Sequence, residues 1–153
     1  MSKVFNTSFE NSLRVLLLLS VDAQNAKNAD MVTALDFIAV YGGCLGISDQ
    51  DLHGENPYSF CEYSMRRRLI ASALKDLVMR GLVNVEKQEN GFCYKISADG
   101  QTIAKNLDST YGDDYLIAVN SALSFANGKT ERQILAYINE RAALALTIGG
   151  SNV

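Results

Sequence analysis

The fold is decided by residues 59–100, which read SFCEYSMRRRLIASALKDLVMRGLVNVEKQENGFCYKISADG. In the first half, apolar side chains recur at alternating three- and four-residue spacing, which predicts one long amphipathic helix. They are Met65, Leu69, Ile70, Ala73, Leu74, Leu77 and Val78. Ser59 and Glu62 have the spacing of a capping box at the start of this helix. Gly81 stands where a residue of left-handed conformation ends a helix.

A β-hairpin is predicted directly after this helix. Apolar and polar residues alternate on both sides of Asn90-Gly91, a pair that suits a type I′ turn because both central residues then take positive φ. Another helix opens after Ser97. A long helix followed by a strand, a turn and a return strand is typical of the winged helix-turn-helix, a module that binds far more often than it catalyses.

Further helices are predicted on both sides of this module. They run from about Ser8 to Asp22, from Asp30 as N-cap to Tyr41, from Ala98 to Leu107, from Asp114 to Phe125, and from Thr130, in capping-box spacing with Gln133, to Leu146. We therefore expect a mainly α protein, with a winged helix-turn-helix core at 5–107 and an α-helical C-terminal extension at 113–147.

Length and composition set limits on location and partners. The chain has 153 residues, 48% of them hydrophobic, and a net charge of −3, so the basic excess typical of nucleic-acid-binding domains is missing. Its three cysteines are Cys44, Cys61 and Cys93, an odd number without metal-type spacing. No apolar segment reaches the ~20 residues that span a bilayer. These features predict a cytoplasmic protein without a membrane partner.

The sequence offers no catalytic constellation. Its one histidine, His53, lies among Asp49, Asp51 and Glu55 in a long irregular connection, and a lone histidine among loop acids is more often a hydrogen-bonding residue than a metal ligand. The phosphate-binding patterns GxxxxGK[ST] and GxGxxG do not occur. We expect no enzyme activity, no metal and no cofactor.

Basic residues on the long helix and the hairpin are candidate nucleic-acid contacts. Successive helical residues lie about 100° apart, so Arg66, Arg67 and Arg68 form no single patch. Arg66 points towards the apolar side, where it pairs with an acid or caps a neighbouring element. Arg68 and Lys75 lie on the opposite face, and Lys87 and Lys95 lie in the hairpin. The alternatives for these four residues are a solvated surface, a protein-binding surface, or contact with DNA, which the net charge makes weak for the chain alone.

Two helices carry more apolar surface than a winged core of this size needs to bury. Such faces usually mark an interface. We expect Phe37 and Tyr41 of the second helix, Ile134 and Ile138 of the last helix, and His53 of the long connection to contact a partner. The surface that covers the last helix is the chain's own domain, a second copy or another protein, and the use expected of these faces is self-association, docking on a partner, or both.

Several strings along the chain resemble one family. They are residues 5–10 and 13–19, residues 34–42, residues 52–56, Arg66-Arg67, Leu82-Val83, Gly91-Phe92 with Tyr94, and Ile138-Asn139 with Arg141. In this order they resemble the middle component of bacterial ABC-three-component systems, of which Lamassu-type defence is the best-known relative. The resemblance covers about Phe5 to Arg141.

The resemblance implies a role inside a conflict or anti-phage system. Such systems encode an SMC/Rad50-like ATPase and an effector, often a nuclease, and the middle component is a non-catalytic adaptor between them. The alternative function is a winged-helix DNA-binding transcriptional regulator. The sign of the charge around Arg68 distinguishes the two, because a regulator needs a positive surface there.

Overall fold

The computed structural model describes residues 8–43, 45–47, 63–89, 91–107 and 110–151. Within these ranges the chain forms six helices and three strands: α1 (Ser8–Val21), β1 (Lys27–Asn28), α2 (Ala29–Tyr41), α3 (Tyr63–Met79), β2 (Val83–Gln88), β3 (Gly91–Ile96), α4 (Ala98–Asn106), α5 (Thr110–Ala126) and α6 (Glu131–Ser151). The prediction of a mainly helical protein is confirmed. Its assignment to the winged helix-turn-helix class stays a prediction.

The three strands form one antiparallel sheet in the order β1-β3-β2. The predicted hairpin is present, but its register differs from the expectation, since Gly91 pairs with Gln88. Gly91 therefore begins β3, and the first central residue of the turn is Glu89, which does not have the positive φ of a type I′ turn. The prediction of a type I′ turn on Asn90-Gly91 is wrong. Gly91 does have a φ of 118°, which glycine adopts readily.

The start of α2 was placed two residues too late by the sequence. Its N-cap is Asn28, whose Oδ1 accepts a hydrogen bond from the backbone N–H of Met31 at 2.8 Å. Asp30 lies inside the first turn instead. The reason is the short strand β1, because its pairing with β3 holds Asn28 in the extended backbone that an N-cap needs.

Three other helix ends follow the predicted signals. Gly81 ends α3 with a φ of 75°. The Ser97 hydroxyl accepts from the Gly100 N–H at 3.0 Å and so caps α4. Thr130 and Gln133 form the reciprocal hydrogen bonds of a capping box, at 3.2 and 2.7 Å. The capping box predicted at Ser59 and Glu62 lies outside the described residues.

The hydrophobic core is organised around α2. This helix packs against α1, α3, α5 and α6, and ten of its residues are buried. Tyr115, Val119 and Ala122 of α5, with Ile134 and Ile138 of α6, belong to the same buried cluster as α1, α2 and α3. The predicted segments 5–107 and 113–147 therefore share one core, while their description as separate units stays a prediction.

Helix α3 presents one buried side to this core. Ile70, Ala73, Leu74 and Leu77 are buried, as the apolar stripe predicts. Met65 was assigned to the same stripe but is 58% exposed, so that assignment is wrong. With 3.6 residues per turn, Met65 lies well away from the line that joins Leu74 and Leu77. The outward side of α3 is therefore less polar than expected.

Candidate functional site: the outer face of α3

The residues predicted to contact a partner lie mostly inside the protein. Phe37 is 0%, Tyr41 4%, Ile134 0% and Ile138 3% exposed. The expectation that they form an exposed apolar surface is wrong, because ten residues of α2 are buried within the chain itself and the two isoleucines of α6 belong to the same core. His53 lies outside the described residues.

A buried charge cluster fixes the position of α3. The carboxylate of Asp36 in α2 accepts hydrogen bonds from Arg14 Nε at 3.2 Å, Arg66 Nη1 at 2.9 Å and the Tyr115 hydroxyl at 2.6 Å. Arg14 also donates to Asn11 Oδ1 at 2.7 Å. Since these residues belong to α1, α3 and α5, one carboxylate joins three helices to α2. The prediction that Arg66 pairs with an acid is confirmed.

The electrostatics of this cluster favour its charged form. Burial alone raises the pKa of Asp36, but the charges of Arg14 and Arg66 and the hydrogen bond from Tyr115 outweigh it and lower the pKa below the usual aspartate value. Burial likewise lowers the pKa of Arg66, and the Asp36 charge reverses that effect. Arg66 also lies over the ring of Tyr41, 5.5 Å from its centre. The cluster is a structural support, and it withholds Arg66 from any external ligand.

The outward side of α3 carries a line of exposed residues, which we call the α3 outer face. Its members are Met65, Arg68, Ser72, Lys75 and Met79. Both methionines are strongly exposed, at 58% and 78%. The placement of Arg68 and Lys75 on the face opposite the core is confirmed.

The charges on α3 leave this face positive. Arg67, on one side of it, forms an ion pair with Asp30 at 2.7 Å, and Arg80, just beyond the helix end, pairs with Asp76 at 3.0 Å. Within the described residues, neither Arg68 nor Lys75 belongs to any ion pair. In the part of the chain that the structure describes, the two cations of α3 that point straight outwards are thus the two that no carboxylate pairs with.

An apolar groove of about 620 Å³ runs along one side of the outer face, between α1, α3 and α4. Ser72 lines it on the side of α3, and Phe9, Leu13, Leu69 and Ile103 are among its apolar lining residues. Phe9 is 69% and Ile103 40% exposed. Sequence reasoning missed this groove, because Phe9 and Leu69 each match a core-facing stripe and only the packing of three helices leaves them uncovered. We call it the α1–α3–α4 groove.

The hairpin does not bring its two lysines together. Lys87 lies opposite Phe92 and Lys95 opposite Asn84 in the register, so their side chains project from opposite faces of the sheet. Lys87 shares its face with Val85 and Phe92, which are 45% and 58% exposed. Of the four predicted nucleic-acid contacts, only Arg68 and Lys75 share one surface.

A comparison with protein families identifies the chain by most of its length. The family model "ABC-three component (ABC-3C) system Middle Component 2" matches residues 4–147. The chain belongs to this family. No curated protein and no solved structure matches it significantly.

Two properties of this Middle Component 2 protein bear on the kinds of site it contains. Among the described residues, no three of its His, Cys, Asp and Glu side chains are grouped closely enough to bind a metal ion. No helix in the same part of the chain has both the length and the apolar character needed to cross a bilayer. Its strongest candidate functional surface is the α3 outer face with the α1–α3–α4 groove, because exposed apolar side chains and two outward cations lie together there.

Proposed function

We propose that this chain is the non-catalytic adaptor subunit of a bacterial anti-phage or conflict complex in the cytoplasm. It links an SMC/Rad50-like ATPase to an effector, often a nuclease, encoded in the same operon. The observation that carries this proposal is membership of the middle-component family over residues 4–147. A component named for its place between others is expected to act by contact.

The surface of the chain supports an adaptor role. Exposed apolar side chains surround α3, with Met65 and Met79 on the outer face and Phe9 and Ile103 along the groove. Large exposed apolar side chains that are grouped in this way usually mark an interaction site. The Asp36 cluster holds α3 against three other helices, which makes this surface rigid before a partner arrives.

The test is co-purification in the native gene context. The affinity-tagged chain is expressed with the products of its flanking genes, and the same operon lacking only this chain serves as the control. We expect the tagged chain to retain the ATPase, the effector or both, and we expect the deletion to abolish phage protection. The proposal would be contradicted if the tagged chain retained neither the ATPase nor the effector and the operon lacking this chain still protected against phage.

A second candidate function is DNA contact, as expected of a winged-helix regulator. We infer a winged helix-turn-helix core from the position of α2 and α3, which pack together and are followed by the β2–β3 hairpin. The positive α3 outer face favours DNA contact. The net charge of −3 and the opposed directions of Lys87 and Lys95 weigh against it. Strong, salt-dependent binding of promoter DNA by the isolated chain would establish this function instead.

A further inference from the structure

We propose that the α3 outer face binds an acidic amphipathic helix of a partner subunit, a specific docking mode that rests on the adaptor function proposed above. The α3 outer face runs along the axis of its helix. Its residues follow one another at intervals of three, four, three and four, which places them on one line about 21 Å long. Any one face of a helix has this spacing, and a second helix can lie along such a line.

The side chains along this line suit a helix as the occupant. Met65 and Met79 stand at the two ends, and flexible, polarizable methionine side chains adapt to an apolar partner surface. Ser72 at the centre is small, so the backbone of a second helix can approach closely there. Ser72 also borders the α1–α3–α4 groove, where a bulky apolar side chain from the flank of that helix can contact Phe9 and Ile103.

The charges specify what the partner helix must carry. Arg68 and Lys75 are seven residues apart, about 10 Å along the axis. A helix lying along this line meets them with two carboxylates that are also seven residues apart. Arg67 and Arg80 are neutralised by Asp30 and Asp76. The two cations at the centre of the face therefore determine that a complementary partner is negatively charged.

A protein helix fits these observations better than DNA does. The two methionines and the exposed Phe9 and Ile103 can neither donate hydrogen bonds to phosphates nor neutralise their charge. The β2–β3 hairpin has no cation besides Lys87 on the face where Lys87 lies. Nucleic-acid affinity depends on many neutralised phosphates. Two available cations are few for that purpose, whereas they suffice to orient one acidic helix.

The experiment reverses the two charges and compares the result with a matched control. R68E/K75E changes the outer face, and K105E/R132E changes two exposed residues of α4 and α6 by the same total charge. Each variant is checked for its thermal unfolding midpoint and then co-expressed with the tagged ATPase and the tagged effector of the same system. We expect R68E/K75E to weaken binding of one of them by about tenfold or more, and K105E/R132E to bind normally.

A crosslinking experiment identifies the occupant directly. A photoreactive amino acid replaces Met79, and Ile117, 68% exposed on α5, serves as the control position. We expect position 79 to capture a helical segment of the ATPase or effector with two Asp or Glu seven residues apart. Replacing those two acids by lysine should restore binding to R68E/K75E.

The outcomes separate this inference from the adaptor function. If R68E/K75E retains both partners as well as the wild type does, the acidic-helix inference fails and the adaptor function stands. A crosslinked segment without the two acids also overturns it. If R68E/K75E retains both partner proteins but no longer binds a duplex DNA oligonucleotide that the wild type binds, the α3 outer face is a nucleic-acid surface and the acidic-helix inference fails. If the wild type binds neither protein, both proposals fall.

Discussion

Replacing Asp36 by asparagine tests whether the buried charge cluster holds the four helices together. The substitution keeps the shape of the side chain but removes its charge, and it leaves Arg14 and Arg66, 1% and 4% exposed, without their counter-ion. The new NH₂ group would also face either Arg66 or the pair Arg14 and Tyr115, donor against donor.

The expected cost follows from this burial. Removing one partner of a buried ion pair costs about 3–5 kcal/mol. That is a large part of the ~5–15 kcal/mol by which domains are stable. The assay is urea unfolding at pH 7, followed by circular dichroism. The control is Asp76→Asn, which breaks an exposed pair worth about 0.3–0.5 kcal/mol. A loss below about 1 kcal/mol for Asp36→Asn, or equal losses for both variants, would refute the reasoning.

The pH dependence gives a second readout of the same cluster. Because the pKa of Asp36 is lowered in the folded state, its charge contributes stability above the unfolded pKa of about 3.9 and loses that contribution as the pH falls towards the folded value. The stability difference between wild type and Asp36→Asn should therefore be constant from pH 7 to about 5 and shrink below about pH 4. A difference that grows on acidification would mean that the pKa of Asp36 is raised.

Four substitutions test the packing of the core and the close approach at Gly100, and one binding measurement tests the affinity for DNA. Leu74→Ala should lower the free energy of unfolding by about 2–5 kcal/mol and Arg68→Ala by under about 0.5, with denaturant melts showing the opposite order if the faces of α3 are misassigned. Gly100→Ala should cost about 1–3 kcal/mol in the same assay, since a Cβ there collides with the Leu82 carbonyl oxygen. Ile134→Asp should unfold the chain, because the new carboxylate would be buried, and a native circular dichroism melt would contradict that burial. Fluorescence anisotropy should show weak duplex DNA binding by the isolated chain, and tight binding that salt abolishes would favour a regulator.

Local signals in the sequence predicted much of the fold. Gly81, Ser97 and the Thr130–Gln133 box identify helix ends because each satisfies backbone groups within a few residues of itself. Arg66 was placed correctly by helix geometry alone. These features need no knowledge of the rest of the chain.

Features that depend on distant contacts were missed or misjudged. The apolar residues around most of α2 predict a helix that is buried on most of its sides. They do not distinguish burial against a partner protein from burial against the chain's own helices. Strand β1 is two residues long and exists only because β3 pairs with it. A signal for the charge cluster was present, however. Arg14 and Asp36 are ionisable residues within strongly apolar stretches, and such residues need a counter-charge.

The hydrogen bond between Tyr115 and Asp36 also bears on how the chain folds, since it joins residues 79 positions apart. During synthesis α2 leaves the ribosome long before α5 and α6, which later cover it. Until then the part of its apolar surface that α5 and α6 cover stays exposed, although α1 and α3 are already present, and exposed surface of this kind makes folding intermediates prone to aggregate. A chain released before residue 110 would keep that surface uncovered. Docking of α5 and α6 thus completes the core, and the rate at which they dock sets how long that part of α2 stays exposed to solvent.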